Sequence, residues 1–306
     1  MSATRRVDIA VEGGTLAAFR LGNGPDRADA VLAVHGITGN SQAWRPVARS
    51  LDGAGELLAV DLRGRGASSA LPPPYGMEAY ARDMLAVLDA CEIERAVLVG
   101  HSLGAYAVAR FAADHPDRVR SAVLVDGGLT LPGIENVDPE VFVRAFLGPA
   151  LARLELEFGT REEYHRWWRS HPAFAGADVA EEDLIAYADH DLGGEAPHLH
   201  STVAKDAVRT DAHELFEIGK PAHRLAVPVE MLRAPRGLQN DPNPMIPAEL
   251  AAAWAGAAPG RRHVGEVADV NHYTIVMGAA GAGVVAQAIV RALQSRDDGP
   301  GLRSGG

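Results

Sequence analysis

The sequence predicts an α/β protein: a doubly wound, mostly parallel eight-stranded sheet, helices on both faces, and a helical cap inserted between two strands. Short apolar runs recur at 30–34, 57–60, 96–99 and 122–125, and continuous apolar runs suit parallel strands covered on both sides. Amphipathic segments of helical length separate them. The third observation is Gly100-His101-Ser102-Leu103-Gly104, which lies between one such run and a helical pattern.

In chain order, 6–11 and 16–21 read as a hairpin turning at Gly13-Gly14. Strands at 30–34, 57–60, 96–99 and 122–125 follow, with helices expected at 41–51, 77–91 and 103–115, the last stopped by Pro116. Later come a strand at 227–232, a helix at 247–255 opened by Pro247, a strand at 262–267 and a final helix at 279–294. The stretch 129–224 breaks this alternation with helical patterns and no convincing strand. It is too long for a loop in a compact domain, so it is expected as a helical cap. The core is then 1–128 plus 225–295, with 296–306 a low-hydrophobicity tail expected to fray.

A composition of 47% hydrophobic and 23% charged residues describes an ordinary globular chain. Its net charge of −11 argues against nucleic acid or an anionic membrane as partner. The one cysteine, Cys91, excludes an internal disulfide and fits a reducing compartment, so a cytoplasmic location is expected. Cys91 continues the apolar stripe Tyr80, Met84, Leu88 and is read as core. No apolar h-region follows the N-terminus and no apolar run nears about 18 residues, so neither signal peptide nor membrane span is expected.

A serine at a sharp strand-to-helix turn, with glycine on either side, reads as a nucleophile elbow. A serine that only caps the next helix would explain Ser102 but neither glycine. His35-Gly36-Ile37-Thr38-Gly39 follows the 30–34 strand and can aim a backbone N–H beside the elbow. The amides of Ile37 and Leu103 are therefore candidate oxyanion donors, with His35 propping its loop. Asp61-Leu62-Arg63-Gly64-Arg65-Gly66-Ala67-Ser68 reads as a fixed, hydrogen-bonded turn. In the cap, Tyr164, Trp167 and Trp168 share one helical face. They either pack the cap or line an apolar substrate pocket.

These motifs, with a late Asn271-His272, occur in the order that resembles the α/β-hydrolase-fold superfamily, over roughly residues 5–295. The resemblance implies a serine nucleophile followed in the chain by an acid and then a histidine. His272 lies on a loop after the last strand and is the candidate base, whereas His263 lies inside the preceding strand. The usual acid position holds glycine here, in Leu232-Arg233-Ala234-Pro235-Arg236-Gly237. Two carboxylates remain: Asp126 at the end of the 122–125 strand, the position some members use, and Asp241 in a Pro/Asn-rich loop. Asp126 is favoured because a strand terminus holds it rigidly, and Asp269 comes next.

The expected chemistry is two-step acyl transfer to water by Ser102, His272 and Asp126, without cofactor or metal. His198 and His200, near Asp189-His190-Asp191, read as solvated cap residues rather than metal ligands. The aspartate nucleophile of the dehalogenase and epoxide-hydrolase branches is absent, because position 102 is serine. An ester or lactone of small to medium, largely apolar character is the first substrate expectation. Hydrolysis of a carbon–carbon bond in a vinylogous diketone and a non-catalytic small-molecule receptor are the alternatives.

Overall fold

Strands β1 (Arg5–Val11) and β2 (Gly14–Leu21) form an antiparallel hairpin at one edge of the sheet. The computed structural model describes residues 4–22, 30–131, 150–214 and 219–295, with 138, 141 and 148 besides. The expected tail at 296–306 lies outside the described residues. Strand β3 (Ala30–Val34) leads through a 3₁₀ turn at Ser41–Trp44 into helix α1 (Arg45–Ser50). One continuous helix was expected over 41–51, but Pro46 opens a new helix within that span, where proline is favoured. Then come β4 (Glu56–Val60), α2 (Met77–Ala90), β5 (Ala96–His101), α3 (Leu103–Asp114) and β6 (Val119–Val125).

The cap segment contributes α4 (Arg161–Ser170), α5 (Glu181–His190), a two-stranded ribbon of β7 (Leu192–Gly193) with β8 (His200–Ser201), and α6 (Lys205–Glu214). No strand was expected there. At two residues each, these are too short for alternation to be visible in sequence. The core resumes with β9 (Val229–Arg233), α7 (Ala248–Gly256), β10 (Arg262–Glu266), α8 (Thr274–Met277) and α9 (Ala279–Gln294).

The eight-stranded sheet runs β1-β2-β4-β3-β5-β6-β9-β10, parallel from β4 to β10. Successive side chains of a strand face opposite ways, and the core divides accordingly. Ala96, Leu98, Ala122 and Leu124 pack with α2 and α3 on one face. Val97, Val99, Val123 and Val125 pack with α1 and α9 on the other.

From β3 the chain steps outward to β4, then returns across β3 to form β5. The carboxyl ends of β3 and β5 therefore flank a topological switch point, where open α/β sheets form ligand crevices. Both glycine-bearing motifs lie at those two strand ends.

Candidate active site

Ser102 stands between β5 and α3 with φ 55° and ψ −121°, a conformation L-residues seldom adopt. The turn holds because its backbone is packed without slack. A Cβ on Gly100 would lie 2.2 Å from the Gly104 carbonyl oxygen, and one on Gly104 would lie 2.0 Å from that of Val34. The Ser102 N–H donates to Val125 O at 2.9 Å, tying the elbow to β6.

His272 and Asp126 meet beside it. His272 Nδ1 bonds Asp126 Oδ2 at 2.7 Å, and both residues are buried. Asp126 continues β6 into the left-handed region at φ 47°. Its N–H donates to Leu232 O at 2.7 Å, and its Oδ1 accepts from Ala234 N–H at 3.0 Å. Three hydrogen bonds thus fix Asp126, two of them on its carboxylate and one of these to the imidazole. A carboxylate on Nδ1 leaves Nε2 unprotonated and able to take a proton.

Asp241 is placed differently. It caps its own turn, accepting from Asn243 N–H at 3.1 Å and Gln239 N–H at 3.4 Å. Burial would raise its carboxyl, but those amides hold it below its ordinary range. Asp269 is exposed in a turn at φ 59°. Neither is bonded to an imidazole among the described residues.

Ser102 and His272 line one cavity with Gly36, Ile37, Leu103 and Tyr187. Among the described residues no hydrogen bond joins Ser102 Oγ to His272. Such contacts are often long until substrate arrives. The N–H groups of Ile37 and Leu103 have no bonded protein acceptor among the described residues. Leu103 is the first residue of α3, where a helix leaves its N–H unpaired.

The Ile37 amide is aimed by its own peptide. Gly36 O bonds His35 Nδ1–H at 2.7 Å and Gly39 N–H at 3.0 Å. A planar trans peptide then directs the Ile37 N–H the opposite way. His35 Nε2 accepts from Leu62 N–H at 3.0 Å, so His35 is a neutral prop. Burial pushes its imidazole down to about 4.

Two buried arginines grip the next carbonyls of the loop. Arg65 Nε donates to Ile37 O at 3.0 Å while its guanidinium pairs with Asp211 and reaches Tyr80 OH at 2.6 Å. Burial raises the Asp211 carboxyl to about 6 against the pull of Arg65. Arg153, from the cap, donates to Thr38 O at 3.1 Å and to Asp191 and Tyr164 OH at 2.6 Å each. Asp61 receives Ser41 N–H at 2.7 Å, Ala67 N–H at 2.8 Å and His190 Nε2 at 2.6 Å, so its motif is a hydrogen-bonded turn.

The aromatic cap face does not line the cavity. Tyr164 and Trp168 are buried inside the cap, and Trp167 packs edge-on against Trp168 at 4.9 Å. Tyr164 spends its hydroxyl on Asp191 at 2.7 Å, and Arg153 lies 5.0 Å over the Trp168 ring. Of the two readings of that stripe, the geometry favours packing. Tyr187 and Tyr273 take the cavity position instead.

Sequence reasoning missed these two tyrosines, Arg153 and His101. His101 Nε2–H donates to His272 O at 2.7 Å. Asn271 was noted only beside His272. Its Oδ1 accepts from Tyr273 N–H at 2.9 Å and Thr274 N–H at 3.0 Å, and its Nδ2 reaches Ala173 O of the cap. The capping-type spacing Asn271-x-x-Thr274 was a readable signal; the others had none. Among the described residues no three His, Cys, Asp or Glu side chains group to hold a metal. No helix among them is long and apolar enough to cross a membrane.

A family model described as the alpha/beta hydrolase fold matches residues 29–177. The chain is 39% identical over 112 residues to an uncharacterized protein of Mycobacterium bovis, covering 36% of this chain and 32% of that one. It is 31% identical over 207 residues to bifunctional epoxide hydrolase 2 of Sus scrofa, covering 62% and 35%. The chain thus spans about a third of the length of these curated relatives, 32% and 35%. The crystal structure of E-2-(acetamidomethylene)succinate hydrolase superposes with a TM-score of 0.75 over 96% of this chain and 99% of that one, at 24% identity. At that identity the likeness shows the fold.

Proposed function

We propose that this chain, which has the α/β-hydrolase fold, is a serine hydrolase of carboxylic esters or lactones with small to medium apolar groups. The reading is carried by one observation: the 2.7 Å contact of His272 Nδ1 with Asp126 beside the elbow serine. His272 Nε2 takes the Ser102 proton as Oγ attacks the substrate carbonyl. The amides of Ile37 and Leu103 stabilise the oxyanion that develops. The imidazolium, stabilised by Asp126, gives its proton to the leaving alcohol. In the second half, His272 deprotonates water, which attacks the acyl-enzyme and frees the acid and Ser102.

The lining supports an apolar substrate: Leu131, Leu238, Met245, Val276 and Met277 surround the serine. The histidine–carboxylate pair weighs against a receptor, which has no use for an activated serine. The test is a panel of short-chain esters and lactones followed by titration of released acid. Wild type should release acid and the Ser102→Ala variant none. Turnover confined to vinylogous diketones would move the reading to carbon–carbon cleavage.

A further inference from the structure

Tyr187 brings one polar atom from the cap to the cavity. Its residue is 3% exposed on α5. The ring meets Trp168 at 5.1 Å and 73°, and the backbone carbonyl accepts from Asn40 Nδ2 at 2.9 Å. The side chain is thereby fixed between cap and core. Its hydroxyl reaches the oxyanion loop, 3.4 Å from where a Cβ on Gly39 would stand.

Other buried phenols in this chain are bonded: Tyr80 OH to Asp211, Tyr106 OH to Leu129 O and Tyr164 OH to Asp191. Among the described residues, no protein group bonds the Tyr187 hydroxyl. Nor does its oxygen count among the sealed, partnerless polar atoms, which include Trp44 Nε1 and Trp168 Nε1. The oxygen therefore keeps accessible surface, and on a residue so buried that surface is the cavity's. A donor that opens on the cavity and has no protein acceptor is available to a ligand atom.

We propose that the Tyr187 hydroxyl donates a hydrogen bond to the substrate and selects esters bearing a second, neutral acceptor oxygen besides the scissile carbonyl. This rests on the ester-hydrolase reading above. The acceptor is neutral because, among the described residues, no Lys, Arg, Asp or Glu lines the cavity, so a substrate carboxylate would meet no counter-charge from them. Burial holds the phenol well above its ordinary pKa, so it remains a donor at any working pH. Sites that hydrogen-bond a substrate group discriminate strongly against analogues lacking it.

The experiment compares kcat/KM, by acid titration, for methyl esters of straight-chain acids and acetates of straight-chain alcohols. Each is paired with counterparts in which one methylene is replaced by a carbonyl. In wild type at least one keto ester should exceed its parent tenfold or more, and Tyr187→Phe should bring that ratio near one. The melting temperature should stay unchanged, because the lost hydroxyl bonds nothing in the protein. An advantage that is absent in wild type, or survives in Tyr187→Phe, overturns the proposal. A marked fall in melting temperature also overturns it, since the hydroxyl would then serve the fold. Fluorophosphonate labelling of Ser102 separates the two readings. Labelling with no keto preference sinks Tyr187 alone, whereas absence of labelling in wild type sinks the ester-hydrolase reading.

Discussion

On its sheet side the cavity is shaped by backbone packed on backbone, whereas on its cap side it is shaped by side chains packed on side chains. Gly100, Gly104 and Gly127 bring main-chain atoms so close that a Cβ would lie 2.0–2.4 Å from a carbonyl oxygen. The cap is joined by Arg153 with Asp191, Tyr164 with Asp191, and Trp168 against Tyr187. Close-packed backbone has one arrangement and cannot be tuned a little. Side-chain contacts can be exchanged while the cap keeps its place. On the proposed reading, the chemistry of the site is carried by the rigid half and its selectivity by the adjustable half.

The largest effect should come from adding one methyl group to the rigid half. Gly104→Ala sets a Cβ against Val34 O, with backbone on both sides. A loss of more than about 4 kcal/mol in urea unfolding is expected, beyond what most single substitutions cost. A loss under about 1 kcal/mol would show that the elbow has slack.

Next is the carboxylate. Asp126→Asn keeps an acceptor for Ala234 N–H but favours the wrong imidazole tautomer, so kcat should fall on the order of 10⁴-fold. Asp241→Asn should leave kcat within about twofold, because Asp241 bonds only its own turn. The reverse ranking would return the acid to the later loop.

In the adjustable half, Trp168→Ala should cost about 3–5 kcal/mol of stability. It should lower activity on the simple straight-chain esters alike and weaken only the keto preference, since Trp168 steadies Tyr187 but does not line the cavity. A changed ranking among the simple esters themselves would restore the aromatic stripe as a pocket wall.

Acid should act on the rigid half. Folded His35 takes a proton near pH 4, whereas an unfolded histidine does so near 6.5. Between those values the unfolded chain binds more protons, so stability is full above about pH 6.5 and declines as pH falls towards 4. The decline from this group is on the order of 3 kcal/mol. Urea midpoints across that window should fall in wild type and fall less steeply in His35→Gln, where the buried His101 and His171, also pushed down by burial, still contribute.

What sequence could reveal divides along the same line. Gly100 and Gly104 are demanded by backbone approach, and a glycine at a strand end is visible in sequence as that demand. Ser102 and the His35–Gly39 loop follow from it, as do the eight strands, whose apolar runs match the observed ones to within three residues at most ends. Asp126 was readable as a strand terminus; that Ala234 N–H and Leu232 O would hold it required the sheet order. Tyr164, Trp167 and Trp168 share a helical face, but periodicity cannot say whether that face meets a cavity or another helix. Tyr187 lies in a helix with weak amphipathic character and gave no signal. Arg153 finds Thr38 across 115 positions of sequence, which no local pattern encodes.

The central claim is that Ser102 is the covalent nucleophile and His272 its base. Intact-mass analysis after treatment with a fluorophosphonate, followed by peptide mapping, tests it directly. One adduct is expected on the peptide carrying Ser102, abolished in Ser102→Ala and strongly slowed in His272→Ala. An adduct on another residue, or equal labelling of the Ser102→Ala variant, would contradict it.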